Sequence, residues 1–224
     1  MIPWEEIDRA KIPGQESELI LRRRDTEFSI RTGGTELMNS RVHRSEEALA
    51  GLALERAPKK RDLTILVGGL GMGYTLAETL KLSQPDTRIL VAELIPTVIS
   101  WNRDHIGHLA GMPLDDPRVR VEASDVATIL KRQKNAWDII LLDVDNGPAG
   151  LTKRSNNRLY SDAGLKTAFK ALTPNGVLGI WSAGDDPAFT RCLTRSGFKA
   201  KAVSVRAASS GKSSRHTIWI AVKP

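Results

Sequence analysis

Cys192 is the only cysteine in 224 residues. That excludes an internal disulfide and any multi-cysteine metal site, and it fits a reducing compartment. Long apolar runs are missing as well. No stretch reaches the roughly 18 uninterrupted apolar residues that a bilayer span requires, so no membrane partner is expected. The opening residues Met1-Ile2-Pro3-Trp4-Glu5-Glu6 have neither the basic nor the apolar segment of a secretory leader, and a cytoplasmic location is the expectation. His43, His105, His108 and His216 show no metal-binding spacing, so no metal is expected. Aromatic residues are few: five Trp, four Phe and two Tyr. None is interleaved with the short basic runs at Arg22-Arg23-Arg24, Lys59-Lys60-Arg61, Lys131-Arg132 and Lys153-Arg154, so those runs read as solvated surface and nucleic acid is not an expected partner.

The composition that remains is that of a folded protein, with 41% hydrophobic and 26% charged residues. The length suits one α/β domain with a small appendage. Lys and Arg number 33 against 26 Asp and Glu, giving a net charge of +7. Such a surface repels a cationic ligand at long range, so an amine substrate requires a local acidic funnel, for which Asp143, Asp145 and the pair Asp185-Asp186 are available.

Two patterns divide the chain. In residues 17–38 apolar Leu19 and Leu21, then Phe28 and Ile30, alternate with polar residues around Asp25-Thr26, which predicts a half-exposed antiparallel hairpin. Residues 1–44 are therefore read as a small N-terminal β segment and residues 45–224 as the main domain. Ser45-Glu46-Glu47 opens an apolar-periodic stretch that predicts a capped helix ending near Pro58. From residue 63 the pattern is βα. Apolar runs at 63–67, 88–92, 119–121, 137–142 and 176–181 alternate with helical segments, which predicts a parallel sheet. The run Ile139-Ile140-Leu141-Leu142 has no polar alternation, as expected of a strand covered on both faces. Two last strands, at 198–205 and 216–222, are joined by a loop with no room for a helix and must pair antiparallel. An α/β, Rossmann-like sheet of seven mostly parallel strands closed by a C-terminal antiparallel hairpin resembles the class I methyltransferase fold.

The chemistry gathers at the carboxyl ends of the strands. The first predicted strand of the main domain enters Gly68-Gly69-Leu70-Gly71-Met72-Gly73, in which Gly69, Gly71 and Gly73 have the spacing G-x-G-x-G. A dinucleotide fingerprint places its third glycine one residue later, where this chain has Tyr74. Adenosylmethionine, which has no phosphate, fits better, although a tight βα turn needs glycines too. Glu93 follows 20 residues after Gly73, placed to accept hydrogen bonds from both ribose hydroxyls. Asp125, after Ser124, can accept from an adenine amine, cap the next helix, or do both. Asp143-Val144-Asp145-Asn146-Gly147-Pro148 brings two carboxylates to the end of the fourth strand. They can hold and deprotonate an amine, or satisfy the backbone of a turn. Trp101 suits either an adenine face or helix packing, Tyr160 either an acceptor pocket or the core, and Trp181 closes the fifth strand.

Residues 37–222, through GGLGMGYTL, VAELIP, DPRVRVEASDV, WDIILLDVDNGP and LYSDAGLKTAFKALTPNGVLGIWS, resemble the spermidine synthase-like branch of that fold. The resemblance implies decarboxylated S-adenosylmethionine as aminopropyl donor and a polyamine such as putrescine as acceptor. It matches Glu93, Asp125 and Asp143 to the family's acids after the second, third and fourth strands, and Asp145 to its second acid across a gap. It also implies a homodimer joined by the N-terminal hairpins. Where the family loop reads GGGDGG this chain reads GGLGMG, and where the family has Tyr-Gln or Tyr-His on the preceding helix this chain has SEEALAGLAL. A methyltransferase using ordinary S-adenosylmethionine keeps the same nucleoside contacts and fits the missing loop aspartate. A non-catalytic nucleoside-binding or oligomeric scaffold is the reading from outside enzymology.

Overall fold

The computed structural model describes residues 2–144, 158–207 and 214–224. An N-terminal sheet contains β1 (Glu5–Lys11), β2 (Glu18–Arg24), β3 (Glu27–Thr32) and β4 (Thr35–Asn39), antiparallel and in chain order. The expected hairpin is β2–β3, which turns through Asp25-Thr26 with Asp25 at φ 56°. Gly33 and Gly34, at φ 51° and 83°, make the tight β3–β4 turn, for which two successive positive φ values are the favoured geometry. The strands β1 and β4 were not anticipated. The residues of β1, EEIDRAK, are mostly charged, and its ladder to β2 is supported by ion pairs across it, Arg23 to Glu5 at 3.1 Å and Arg9 to Glu18 at 3.3 Å.

The main sheet has the order β10-β11-β9-β8-β5-β6-β7. Its parallel strands are β5 (Thr64–Gly68), β6 (Arg88–Glu93), β7 (Val119–Ala123), β8 (Trp137–Leu142) and β9 (Leu172–Ser182). They are closed by β10 (Lys199–Arg206) and β11 (Arg215–Val222), with β11 antiparallel to both β9 and β10. The helices are α1 (Arg44–Leu54), α2 (Tyr74–Leu82), α3 (Pro96–Trp101), α4 (Val126–Arg132), α5 (Asp162–Ala171) and α6 (Pro187–Arg195). After β5 the chain builds outward to β7, then returns to place β8 on the other side of β5. The order reverses there, and the crevice at the carboxyl ends of β5 and β8 is where an open α/β sheet binds ligands.

Alternation along the central strands creates two cores. Ile65, Val67, Ile139 and Leu141 face α1, α2 and α3. Leu66, Ile140 and Leu142 face α4, α5 and α6. The N-terminal sheet adds Leu21, Phe28 and Ile30 to the first core. Helix α1 differs from its expectation. It ends at Leu54 rather than near Pro58, and Ser45 lies buried inside its first turn while His43 occupies the N-cap position without a side-chain cap. Among the described residues no helix is long and apolar enough to cross a membrane.

Candidate active site

The end of β5 is a turn that only glycine fits at its tightest point. Gly69 has φ 88°, and a Cβ there would collide with the carbonyl oxygen of Asp143. The loop is pinned on both sides by backbone hydrogen bonds, Gly69 N–H to Ala92 C=O at 2.9 Å and Asp143 N–H to Gly68 C=O at 2.8 Å. Gly71, at φ 52°, runs beneath the sulfur of Met38 from β4, and Gly73, at φ 87°, is the N-cap of α2. The glycine loop is thus joined to the N-terminal sheet.

Glu93 is 7% exposed at the end of β6. Its Oε2 accepts from Leu70 N–H at 2.9 Å and its Oε1 from Ile95 N–H at 2.8 Å. One carboxylate therefore fixes the glycine loop against the start of α3. The same side chain lines a cavity. Asp125 caps α4, its Oδ1 accepting from Ala127 N–H at 2.8 Å, and the side chain borders the same cavity.

Asp143, at the end of β8, accepts a 2.6 Å hydrogen bond at Oδ2 from the hydroxyl of Thr75 in the first turn of α2. Burial pushes its carboxyl up to about 6, against the opposing effect of that hydrogen bond. The second acid at this point is Glu46 of α1, pushed up to about 7 by burial and then by the nearby Asp143 charge. Two acids that repel in a desolvated place hold a proton between them more readily than either would alone. Ser45 Oγ stands 2.6 Å from Glu46 Oε2 and 2.9 Å from His216 Nδ1. Burial lowers the His216 pKa.

These groups share a cavity of about 1200 Å³ that passes Gly69, Glu93, Asp125, Asp143, Glu46 and His216. Five carboxylates line it among the described residues, those of Glu36, Glu46, Glu93, Asp125 and Asp143, against the two cations Lys131 and Arg158. The local field is acidic inside a basic chain. Several other sequence candidates lie outside the cavity lining. Tyr160 is buried in the core, edge-on to Phe189 at 5.8 Å, and the cavity wall there is Arg158, Leu159 and Ser161 instead. Trp101 is 1% exposed and donates its indole N–H to Asp8 Oδ2 at 2.7 Å, which makes it a packing residue between the two sheets. Asp186 caps α6 by accepting from Ala188 N–H at 2.8 Å, and neither it nor Asp185 lines the cavity. Trp181 lines the cavity and meets the His216 ring edge-on at 4.8 Å. Asp145 lies outside the described residues. Among the described residues no three His, Cys, Asp or Glu side chains group as metal ligands. Glu46 was the residue missed. Its only sequence signal was an acid at the start of a helix, the usual place for one that merely complements the helix dipole.

Known proteins carry the same arrangement of strands. A Thermotoga maritima spermidine synthase superposes with a TM-score of 0.76 at 18% identity, over 98% of this chain and 72% of that one. A probable spermidine synthase of Corynebacterium glutamicum gives 0.66 at 16%, over 98% and 79%. In sequence, a polyamine aminopropyltransferase of Prochlorococcus marinus is 28% identical over 137 residues, 61% of this chain and 46% of that protein. The polyamine aminopropyltransferase 2 of Pseudomonas aeruginosa is 28% identical over 138 residues, 60% and 37% respectively. The matches thus cover less than half the length of these relatives. Residues 42–195 match the spermine/spermidine synthase domain, from the N-cap region of α1 through the crevice to the end of α6, and on that match the chain belongs to the spermine/spermidine synthase family.

Proposed function

We propose that this protein transfers the aminopropyl group of decarboxylated S-adenosylmethionine to a polyamine such as putrescine. The observation that carries the reading is the placement of Asp143 and Glu46 in one acidic cavity with Glu93 and Asp125. An amine arrives as an ammonium, which has no lone pair. Asp143 takes one proton, the freed lone pair forms the new C–N bond, and the electron pair of the breaking C–S bond stays on sulfur. Glu93 and Asp125 are assigned to the ribose and adenine, and the backbone of Gly69 and Gly71 to the closest approach of the donor. Most of the acceleration comes from holding amine and carbon in line. The names of the curated relatives support this reading, as does a spermidine synthase of the same fold in complex with a transition-state analogue, AdoDATO.

The lining also answers the charge problem. With five acids against two bases the cavity attracts a polyamine that the chain as a whole repels. The glycine loop has no acid, and Glu46 supplies a second carboxylate from α1. We assign the working form to a cytoplasmic homodimer, supported by the edges of the N-terminal sheet, where β1 pairs with β2 alone among the described residues. Calorimetric titration ranks the donors. The reading expects decarboxylated S-adenosylmethionine and methylthioadenosine to bind more tightly than S-adenosylmethionine, whose extra carboxylate would enter the acidic cavity. Tighter binding of S-adenosylmethionine would point to methyl transfer, and binding of none to a scaffold.

A further inference from the structure

A hydrogen-bonded chain leads away from the carboxylate pair. It runs from Glu46 Oε2 to Ser45 Oγ at 2.6 Å and on to His216 Nδ1 at 2.9 Å. The other ring nitrogen, Nε2, lies 3.4 Å from the hydroxyl oxygen of Ser214, which is exposed. Ser45 is wholly buried, so its hydroxyl has these two partners and no bulk water. A hydroxyl has one hydrogen to give and two lone pairs. With Glu46 ionised, Ser45 donates to the carboxylate and accepts from Nδ1–H. With Glu46 protonated, the acid donates to Ser45 and the serine hydrogen turns to a bare Nδ1. The direction of the chain is set by one proton.

We propose that Ser45 and His216 form a proton outlet that connects the Glu46–Asp143 pair to the surface at Ser214. The outlet rests on the aminopropyl-transfer reading for the origin of the proton, which the amine first gives to Asp143. Asp143 returns to its ionised form by giving that proton to the neighbouring Glu46 carboxylate, whose charge it faces. A proton leaves Glu46 Oε2 as a bond to Ser45 Oγ forms, the serine hydrogen passes to Nδ1, and Nε2 releases its own proton toward Ser214 and solvent. Exchange with water, in which Nδ1 loses its proton and Nε2 takes one up, restores the starting tautomer. His216 suits the task because burial lowers its pKa and favours the neutral ring, and Trp181 meets it in a T-shaped contact. The charged and titratable neighbours that bear on Glu46 are Asp143, Glu47 and Tyr74, with His43 stacked on Tyr74 at 4.0 Å and Arg158 in the same cavity. Ser45 and His216 are positioning residues, since neither is placed against the reacting carbon.

The test follows the His216 ring nitrogens by NMR against pH in the ¹⁵N-labelled protein, with turnover measured on the same samples. In the wild type the His216 shifts should show a second inflection where Glu46 titrates, and that inflection should vanish in both Ser45→Ala and Glu46→Gln. Ser45→Ala should also lower kcat about tenfold or more with KM unchanged, and Ser45→Thr, which keeps the hydroxyl, should restore it. A wild-type His216 titration without the inflection, or one unchanged in Ser45→Ala, overturns the outlet. The inflection present in a protein that transfers no aminopropyl group would leave the hydrogen-bonded chain standing and overturn the function assigned to the cavity.

Discussion

Asp143 and Glu46 make opposite demands on the protein at the scale of single residues. The proposed base role requires Asp143 ionised, while its burial favours the protonated form. Turnover should therefore rise with pH through about 6 to 7, the range in which burial places the two acids, and a kcat/KM profile flat from pH 5 to 8 would contradict the base role. Asp143→Asn should lower turnover by about a hundredfold or more while leaving methylthioadenosine affinity within a few fold, read by initial rates and calorimetry. Stability runs the other way. Both folded-state pKa values are raised above the ordinary carboxylate values, so between about pH 4 and 7 the native state binds more protons than the unfolded chain, and stability is lost as pH rises through that window. Glu46→Gln removes a buried charge and should raise the melting temperature at pH 8, by an amount corresponding to on the order of 1–2 kcal/mol, with the difference vanishing near pH 4. A variant less stable than wild type at pH 8 would show that the Glu46 charge is compensated.

Elements explain which of these residues could be read in advance. The glycine loop and Glu93 were legible because their meaning is local: a βα turn and the end of the next parallel strand fix both positions within 25 residues. Glu46 was not legible, because the apolar periodicity of SEEALAGLAL marks a buried face of α1 without saying which strand end its first turn meets. Leu49, Ala50 and Ala53 settle that by packing on the first core, and the first turn then lies over the end of β8. Tyr160 was open between pocket and core for the same kind of reason, since Phe189, which it meets edge-on, is on α6. The loop yields a sharp prediction. Gly69→Ala forces a side chain onto a positive φ and into the Asp143 carbonyl, and should destabilise the protein by more than about 1 kcal/mol in urea unfolding. Wild-type stability in that variant would mean the turn can relax without moving Asp143.

Seen as a whole, the molecule joins two sheets through one core. Leu21 and Ile30 from the N-terminal sheet belong to the same apolar cluster as Met72 and Trp101, and Asp8 accepts from the Trp101 indole across the junction. We infer that the boundary between residues 1–44 and 45–224 divides topology rather than stability. Removing residues 1–44 should abolish cooperative unfolding, and a truncated chain melting as the full one does would make the N-terminal sheet a separable appendage. The βα order announced the main sheet, whose central strands are apolar runs, whereas β1 hid in a charged sequence with ion pairs across its ladder. The claim that binds the scales together is that this cavity moves an aminopropyl group. Product analysis after incubation with decarboxylated S-adenosylmethionine and putrescine tests it most directly. The account predicts equal amounts of methylthioadenosine and spermidine, and a methylated product formed from S-adenosylmethionine, with no methylthioadenosine from the decarboxylated donor, would contradict it.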